Sequence, residues 1–221
     1  MTHKCLFFGF FVLSSIFLAA HDVDAQRKAI SSSEYYSGIY PKPAVPWSER
    51  SRRVEDIEET INDGVVTKSN TTVSEFLLPD RRRYYTKKVE DGKVTEFERI
   101  TIEHWEYTRE NGGAWTKVDL RGRAGGTGYG SGSGSGGTAC TQFSVESVII
   151  NGISAKLFEA LWVTSIGQEL SFHESRRWIG DDGLPYREEE VKGMVHPRIE
   201  TFRESTTYDF NPNIKIEAPI N

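Results

Sequence analysis

Hydrophobic and polar positions alternate along most of the chain, in segments separated by clusters of glycine, asparagine and aspartate. Such clusters favour tight hairpin turns, because these residues accept the left-handed backbone conformation. They occur at Asn62-Asp63-Gly64, Asp91-Gly92-Lys93, Asn111-Gly112-Gly113, Asn151-Gly152 and Asp181-Asp182-Gly183. Between and around them the pattern predicts antiparallel strands. Their positions are near residues 52–61, 65–77, 82–90, 93–102, 104–109, 114–119, 142–150, 153–164, 169–179, 185–192 and 198–209.

The alternation also predicts which side chains share a face of the sheet. Ile100 and Ile102 are two residues apart and are expected to lie on one face, whereas Glu96 and Glu98 are expected to be solvated. In the segment 155–164, one face carries Leu157, Glu159, Leu161 and Val163 and the other Phe158, Ala160, Trp162 and Thr164. Both faces are largely apolar, so the strand is expected to be covered on both sides. A sheet with one dry and one wet face follows.

Helical periodicity is scarce. The segment from Ile30 to Ile39 is the main candidate for a short helix, and one of the serines at 31–33 could supply its N-cap. Prolines at 41, 43 and 46 prevent a longer helix there. The predicted fold is therefore mainly β: one large antiparallel sheet with one or few short helices.

The first 25 residues have the pattern of a secretory signal. Lys4 precedes an apolar run from Leu6 to Ala20, and Val23-Asp24-Ala25 offers small and branched residues where a signal peptidase would cleave. The run is shorter than the roughly 20 apolar residues that a membrane span needs. Cys5 lies before the run, so there is no lipobox. The expectation is a periplasmic or secreted protein with a signal peptide at 1–25 and no integral membrane span.

Composition limits the partners and the stabilising chemistry. The chain has 27 lysines and arginines against 32 aspartates and glutamates, which predicts no nucleic-acid partner. Cys140 is the only cysteine left after cleavage, so no internal disulfide is expected. Residues 26–49 form an N-terminal segment and 50–221 the β domain, with a flexible Gly/Ser-rich insertion at 122–137.

No catalytic or metal-binding motif occurs. The histidines of the mature chain, His104, His173 and His196, are far apart in sequence and belong to no known ligand or nucleophile pattern. We therefore predict no catalytic residue, no metal ligand and no cofactor. A hydrolytic site at His173 and Glu174 is an alternative, but a cross-strand cluster of charges is the simpler interpretation of these residues.

Aromatic residues occur in nearly every predicted strand, and most must pack in the core. A curved sheet with little helical cover can also leave a concave apolar surface that binds a lipid or another apolar ligand. The candidate ligand-binding residues on such an inner face are Phe97, Trp105, Trp162 and Phe172.

Several short motifs resemble, in their order, the LolA-like and LppX-like periplasmic proteins. They span roughly residues 50–219. The motifs are Leu78-Pro79-Asp80-Arg81-Arg82-Arg83-Tyr84, Trp105-Glu106-Tyr107-Thr108-Arg109, Gly113-Ala114-Trp115-Thr116-Lys117-Val118, Trp178 with Gly183-Leu184-Pro185-Tyr186, Thr206-Thr207-Tyr208-Asp209-Phe210 and Ile214-Lys215-Ile216-Glu217-Ala218-Pro219.

The resemblance implies a strongly curved, incomplete half-barrel whose open side is plugged by helices. It also implies a non-enzymatic carrier with an apolar cavity for a lipid or a lipoprotein acyl chain. The chain departs from the family in its Gly/Ser-rich insertion and in lacking a lipobox cysteine. The alternative is an envelope structural or interaction module that meets an envelope protein partner without a small-molecule ligand.

Overall fold

The computed structural model describes residues 27–43, 45–46, 49–121, 138–166, 169–195, 199–210 and 212–220. The predicted signal at 1–25, the insertion at 122–137 and His196 lie outside these residues. The described residues form one helix, α1 (Ser32–Ile39), and twelve strands. The strands are β1 (Lys28–Ala29), β2 (Arg52–Asn62), β3 (Val65–Leu77), β4 (Arg81–Glu90), β5 (Lys93–Ile102), β6 (Trp105–Glu110), β7 (Thr116–Asp119), β8 (Thr138–Ile150), β9 (Ile153–Ile166), β10 (Glu169–Gly180), β11 (Pro185–Val195) and β12 (Ile199–Asp209).

All twelve strands belong to one antiparallel sheet in the order β1-β8-β9-β10-β11-β12-β2-β3-β4-β5-β6-β7. The sheet is not closed on itself, because β1 and β7 form its two edges. The predicted fold class is confirmed, and only the two-residue β1 was not expected. No helix in the described ranges is both long and apolar enough to cross a membrane.

Local sequence explains the hairpins. Four turns place two successive residues in the left-handed region, as type I′ turns require. They are Asp63-Gly64, Asp91-Gly92, Asn111-Gly112 and Asn151-Gly152, with φ values between 48° and 82°. In a sheet built mainly from consecutive hairpins, such turns fix the pairing register of their flanking strands.

The helix α1 begins where the serine run predicts. The Ser31 side chain accepts a hydrogen bond from the backbone N–H of Glu34, and the Glu34 carboxylate accepts one from the backbone N–H of Ser31. This reciprocal capping box satisfies two backbone donors at the helix start. Tyr35 and Ile39 are buried and lie on the face that packs against the sheet.

The pairing register assigns each side chain to one of two faces, because directly paired residues in an antiparallel sheet lie on the same face. One face carries a continuous row of directly paired residues across eight strands. We call it the front face, and we call the opposite face the back face. The row consists of Phe158, Arg177, Glu188, Thr206, Asp56, Thr72, Thr86 and Phe97.

The first hydrophobic cluster lies on the front face, under the helix. Tyr35 and Ile39 of α1 pack there with Phe158, Ala160 and Ile179 of β9 and β10. We call this group the helix-end cluster. The main contacts of α1 with the sheet are made with β8, β9 and β10.

The second cluster lies on the back face at the other end of the sheet. Ile100 is three residues from Phe97 and therefore points away from the front face; it pairs with Tyr107. Ile216, in the extended segment 212–220 that follows β12, packs on both. Arg81 donates a hydrogen bond to the Ile216 carbonyl at 2.8 Å and fixes this segment. We call the group the tail-end cluster.

The prediction that Glu98 is solvated is wrong. Its side chain is only 4 % exposed on the back face, next to the tail-end cluster. Arg83 and Arg109 each donate a hydrogen bond of 2.7 Å to a different oxygen of the carboxylate. Burial of the charge is possible because both oxygens are satisfied by cations. Glu98 shares the parity of Ile100 and Ile102, so the period-2 pattern already contained this information.

Candidate ligand-binding groove

The front face carries a groove between β12 and β6, beyond the strands that α1 covers. Its volume is about 650 Å³, and six neighbouring strands contribute to its wall. A single depression can span six strands only if the sheet is concave on this face. The lining residues are Glu58, Glu59, Thr60, Lys68, Ser69, Asn70, Thr86, Lys88, Thr95, Glu96, Phe97, Glu110, Asn111 and Phe202.

Two phenylalanines form the apolar part of the groove. Phe97 comes from β5, where Thr86 and Glu110 are its cross-strand partners. Phe202 comes from β12. The ring of Phe97 also meets that of Tyr84 edge to face, with the centroids 6.4 Å apart. The groove therefore offers aromatic surface on two walls rather than a closed apolar interior.

The groove carries excess negative charge. Glu58 and Glu110 face it together with Lys68 and Lys88, whereas the alternation of β2 and β5 turns the side chains of Glu59 and Glu96 to the back face. The ammonium groups of Lys68 and Lys88 both lie 2.6 Å from the carboxylate of Glu90, which neutralises much of their charge. An anionic ligand would therefore meet repulsion in the groove, and a cationic group would meet attraction.

Three carboxylates from two neighbouring strands meet on the floor of the front face. Oxygens of Asp56, Glu58 and Glu204 lie within 4.8 Å of one another. Thr206 donates a hydrogen bond to Asp56 at 3.0 Å, and Asn70 donates one to Glu58 at 3.0 Å. The sequence pattern predicts no metal ligand and does not reveal this group, because Asp56 and Glu204 are distant in sequence.

Burial and mutual repulsion perturb this acidic group. Desolvation raises the pKa of Asp56, which the Thr206 hydrogen bond opposes and the Glu58 charge reinforces. Desolvation also raises the pKa of Glu204, with further contributions from Asp56 and Glu190. The group therefore binds protons more readily than isolated carboxylates do.

Glu190, directly opposite Glu204 on β11, behaves in the opposite way. Its pKa is lowered to about 2, mainly by the approach of the His173 imidazole and also by Lys192. The His173 Nε2 atom lies 3.3 Å from Glu190 Oε2, and the imidazole stacks on Trp162 with centroids 4.7 Å apart. In this pair of facing glutamates, hydrogen bonding and charge dominate the pKa of Glu190, whereas burial dominates that of Glu204 despite the nearby Lys192.

His173 and Glu174 do not form a site together. They are consecutive on β10 and point to opposite faces. His173 contacts Glu190 on the front face, whereas the Glu174 carboxylate lies 2.6 Å from Arg176. The arrangement brings no general base to a nucleophile at these two residues.

The four aromatic residues predicted to bind a ligand do not share one face. Phe97 lines the groove. Trp162 is also on the front face but packs beneath α1, where Tyr35 and Phe143 meet its ring. Trp105 packs against the tail-end cluster on the back face. Phe172 is an odd number of residues from His173 and is also on the back face, beside Gly193.

Sequence reasoning missed Phe202 as a groove residue. Within β12, the front-face positions are Glu200, Phe202, Glu204 and Thr206, so the alternation marks the side chain as one of a mostly polar row. A lone aromatic in a polar row is a signal that could have identified it. Its position in the same groove as Phe97 depends on the pairing of β12 with β2.

No protein-family model matches the chain, and no curated protein matches it in sequence. Among solved structures, the chain is similar to the crystal structure of a putative outer membrane lipoprotein-sorting protein domain from Vibrio parahaemolyticus. The similarity covers 77% of this chain and 88% of that chain, with 10% sequence identity and a TM-score of 0.27. These values do not establish membership of that family, so the chemistry of the groove has to indicate what the protein binds.

Proposed function

We propose that the chain is an exported, non-enzymatic binding protein that acts in the periplasm or outside the cell. Its groove would hold an amphipathic ligand, such as a lipid or the acyl chain of a lipoprotein with its polar end. One observation carries the proposal: Phe97 and Phe202 line the same groove as an excess of carboxylates. An apolar chain would pack on the rings, and a cationic group would lie over the acidic floor.

The groove favours an amphipathic ligand over a purely apolar one. Burying an alkyl chain against the two rings stabilises the complex by roughly 0.8 kcal/mol per buried methylene. Covering Glu58 with the same chain would remove its charge from water with only the Asn70 hydrogen bond to compensate, which is costly. A ligand with a cationic group avoids that cost by pairing with the carboxylates.

Isothermal titration calorimetry with charged amphiphiles tests the proposal. We expect dodecyltrimethylammonium, below its micellar concentration, to bind more tightly than dodecyl sulfate and more tightly than tetramethylammonium, which lacks the chain. Phe97→Ala and Phe202→Ala should each weaken the first interaction. Phe172→Ala, a matched change on the back face, should leave it unchanged.

Two outcomes would reject the groove as the binding site. One is equal affinity for the cationic and the anionic amphiphile. The other is loss of binding in Phe172→Ala while Phe97→Ala binds normally. Glu58→Gln removes a charge without changing the shape of the groove. It should lower the preference for dodecyltrimethylammonium over dodecyl sulfate, while the dodecyl chain contributes to the affinity as before.

Export is tested separately, by sequencing the N-terminus of the protein recovered from its native source. Cleavage after Ala25 is the expected result. An intact Met1 on the folded protein would contradict export and would leave the groove chemistry unaffected.

A second candidate function, an interaction module of the envelope, is favoured by exposed apolar side chains at one end of the sheet. Three adjacent hairpins, β11-β12, β2-β3 and β4-β5, bring them together. They are Val65, Val66, Val94, Met194 and Ile199, each at least 46 % exposed. Clustered apolar exposure of this kind is typical of protein-binding surfaces.

Photo-crosslinking in native cells distinguishes this candidate. A crosslinker at Val65 should trap a discrete protein partner, whereas one at Ile149, which is equally exposed at the opposite end of the sheet, should not. Equal crosslinking at both positions, or none at Val65, would reject the surface.

A further inference from the structure

A second cavity lies at the end of the sheet where β2 begins and β12 ends. Its volume is about 750 Å³. Arg53 and Glu55 at the start of β2 contribute to it, whereas Glu58 to Thr60, farther along the same strand, line the groove. Tyr208 and Phe210 contribute from the end of β12 and the residue after it. We call this cavity the aromatic pocket.

Three aromatic rings from two chain segments meet at the aromatic pocket. Tyr208 and Phe210 are almost parallel, with an interplanar angle of 4° and centroids 6.2 Å apart. Tyr186 meets Phe210 edge to face at 6.1 Å, with an interplanar angle of 84°. The rings therefore present an aromatic wall assembled from the start of β11 and the end of β12.

Tyr186 of this wall is held in place. The Tyr186 hydroxyl donates a hydrogen bond to Asp182 at 3.0 Å, and the backbone N–H of Leu184 donates one to the other oxygen of the same carboxylate at 3.0 Å. A side chain at Gly180 would collide with the Tyr186 ring, since a Cβ there would lie 2.5 Å from it. Leu184, 1 % exposed, anchors the connection to the core. The pocket is thus largely preorganised for a ligand.

The polar groups of the pocket include both donors and acceptors. Arg50 lines the pocket and contributes a guanidinium, which carries five N–H donors. A ligand oxygen could accept a hydrogen bond from this guanidinium. Asp182 and Asn151 provide acceptor oxygens from two other loops.

The charges of the pocket are nearly balanced. Two arginines line it with three acidic residues, of which Glu55 lies 3.5 Å from Arg53. A strongly anionic or cationic ligand would therefore gain little from the pocket as a whole. A neutral ligand with several hydroxyl groups could use the donor and the acceptors together.

We infer that the aromatic pocket is a binding site for a neutral sugar ring. One face of a pyranose presents C–H groups that pack on aromatic rings, and its adjacent hydroxyls both donate and accept hydrogen bonds. The wall of Tyr208 and Phe210 supplies the first contact. Arg50 and Asp182 supply the donor and the acceptor. This site is distinct from the groove and does not rest on the function proposed for it.

Saturation-transfer difference NMR with three methyl glycosides, of glucose, galactose and mannose, tests the inference. At least one is expected to bind with millimolar affinity, which is typical of a single sugar ring in a small open site. Phe210→Ala should abolish the signal. Arg50→Gln should weaken binding about tenfold, the effect expected for losing a hydrogen bond from a charged group.

Controls separate this site from the groove and from misfolding. Phe97→Ala should leave glycoside binding unchanged, and Arg50→Lys, which keeps the charge but lacks the planar set of N–H donors, should behave like Arg50→Gln. Circular dichroism of Phe210→Ala must show an intact sheet. The inference is overturned if none of the glycosides binds to the wild-type protein, or if Phe210→Ala and Arg50→Gln both bind like the wild type.

Discussion

The helix-end and tail-end clusters lie on opposite faces of the same sheet, near opposite ends of its strand order. The first is covered by α1, a capped helix that inserts Tyr35 and Ile39; the second is covered by an extended segment that inserts Ile216. Each cover occupies only a few strands. The front face between β12 and β6 therefore stays open as the groove, while Trp162 and Trp105 are used for packing.

The largest expected effect on stability comes from a substitution in α1, the helix that covers part of the front face. Tyr35 is 1 % exposed, and its ring meets those of Phe143, Phe158 and Trp162. Tyr35→Ala should lower the free energy of unfolding by about 3–5 kcal/mol, the range measured for large aromatic residues in cores. Urea denaturation at neutral pH measures the loss.

Tyr36 is the matched control for that change. It is the next residue of α1 but is 48 % exposed. Tyr36→Ala should cost less than about 1 kcal/mol, as expected for a surface position. Equal losses for the two variants would mean that α1 does not seal the front face.

The extended segment 212–220 should tolerate the truncation of a buried side chain better than α1 does. Ile216 is 2 % exposed, but its segment lies outside the sheet ladder and can relax around a smaller side chain. Ile216→Ala should cost about 2 kcal/mol, the lower end of the range for buried aliphatic residues. Ile220→Ala, at 38 % exposure in the same segment, should have almost no effect in the same denaturation experiment. A loss in Ile216→Ala larger than that in Tyr35→Ala would reverse the comparison.

Between the two covers, the facing pair Glu190 and Glu204 should respond to pH in opposite directions. The pKa of Glu190 is lowered to about 2 from 4.5, so its ionised form stabilises the fold above pH 4.5, and this is lost as pH falls toward 2. Glu190→Gln should therefore destabilise the protein at neutral pH by at most about 3 kcal/mol. Urea denaturation between pH 7 and pH 3 should show the gap to the wild type closing; a constant gap would contradict the assignment.

The smallest effect is expected for Glu204. Burial raises its pKa, so its protonated form is favoured in the fold, and stability is lost as pH rises from 4.5 through the raised value. Glu204→Gln should make the protein slightly more stable than the wild type at alkaline pH and equal to it below pH 4.5. Destabilisation at alkaline pH would show that the carboxylate is needed as an ion.

Much of the fold could be predicted from the sequence because its determinants are local. The turn at Asp63-Gly64 requires two left-handed residues, and the strands around it end where alternation ends. That Phe97 and Trp105 lie on opposite faces of the sheet also follows from local sequence. Ile102 pairs with Trp105 across a two-residue turn, and Phe97 is five residues from Ile102. The aromatic content of the strands does not by itself show on which face each aromatic residue lies.

What the sequence by itself determined is the set of strands, their turns, the helix start at Ser31 and the parity of each side chain within its strand. Tertiary structure decided which strands became neighbours. The pairing of β12 with β2 unites the start and the end of the β domain, and it alone brings Glu204 to Asp56 and Phe202 into the groove with Phe97. Local propensity acts over a few residues, whereas this pairing joins segments about 150 residues apart, as in the hydrogen bond from Thr206 to Asp56.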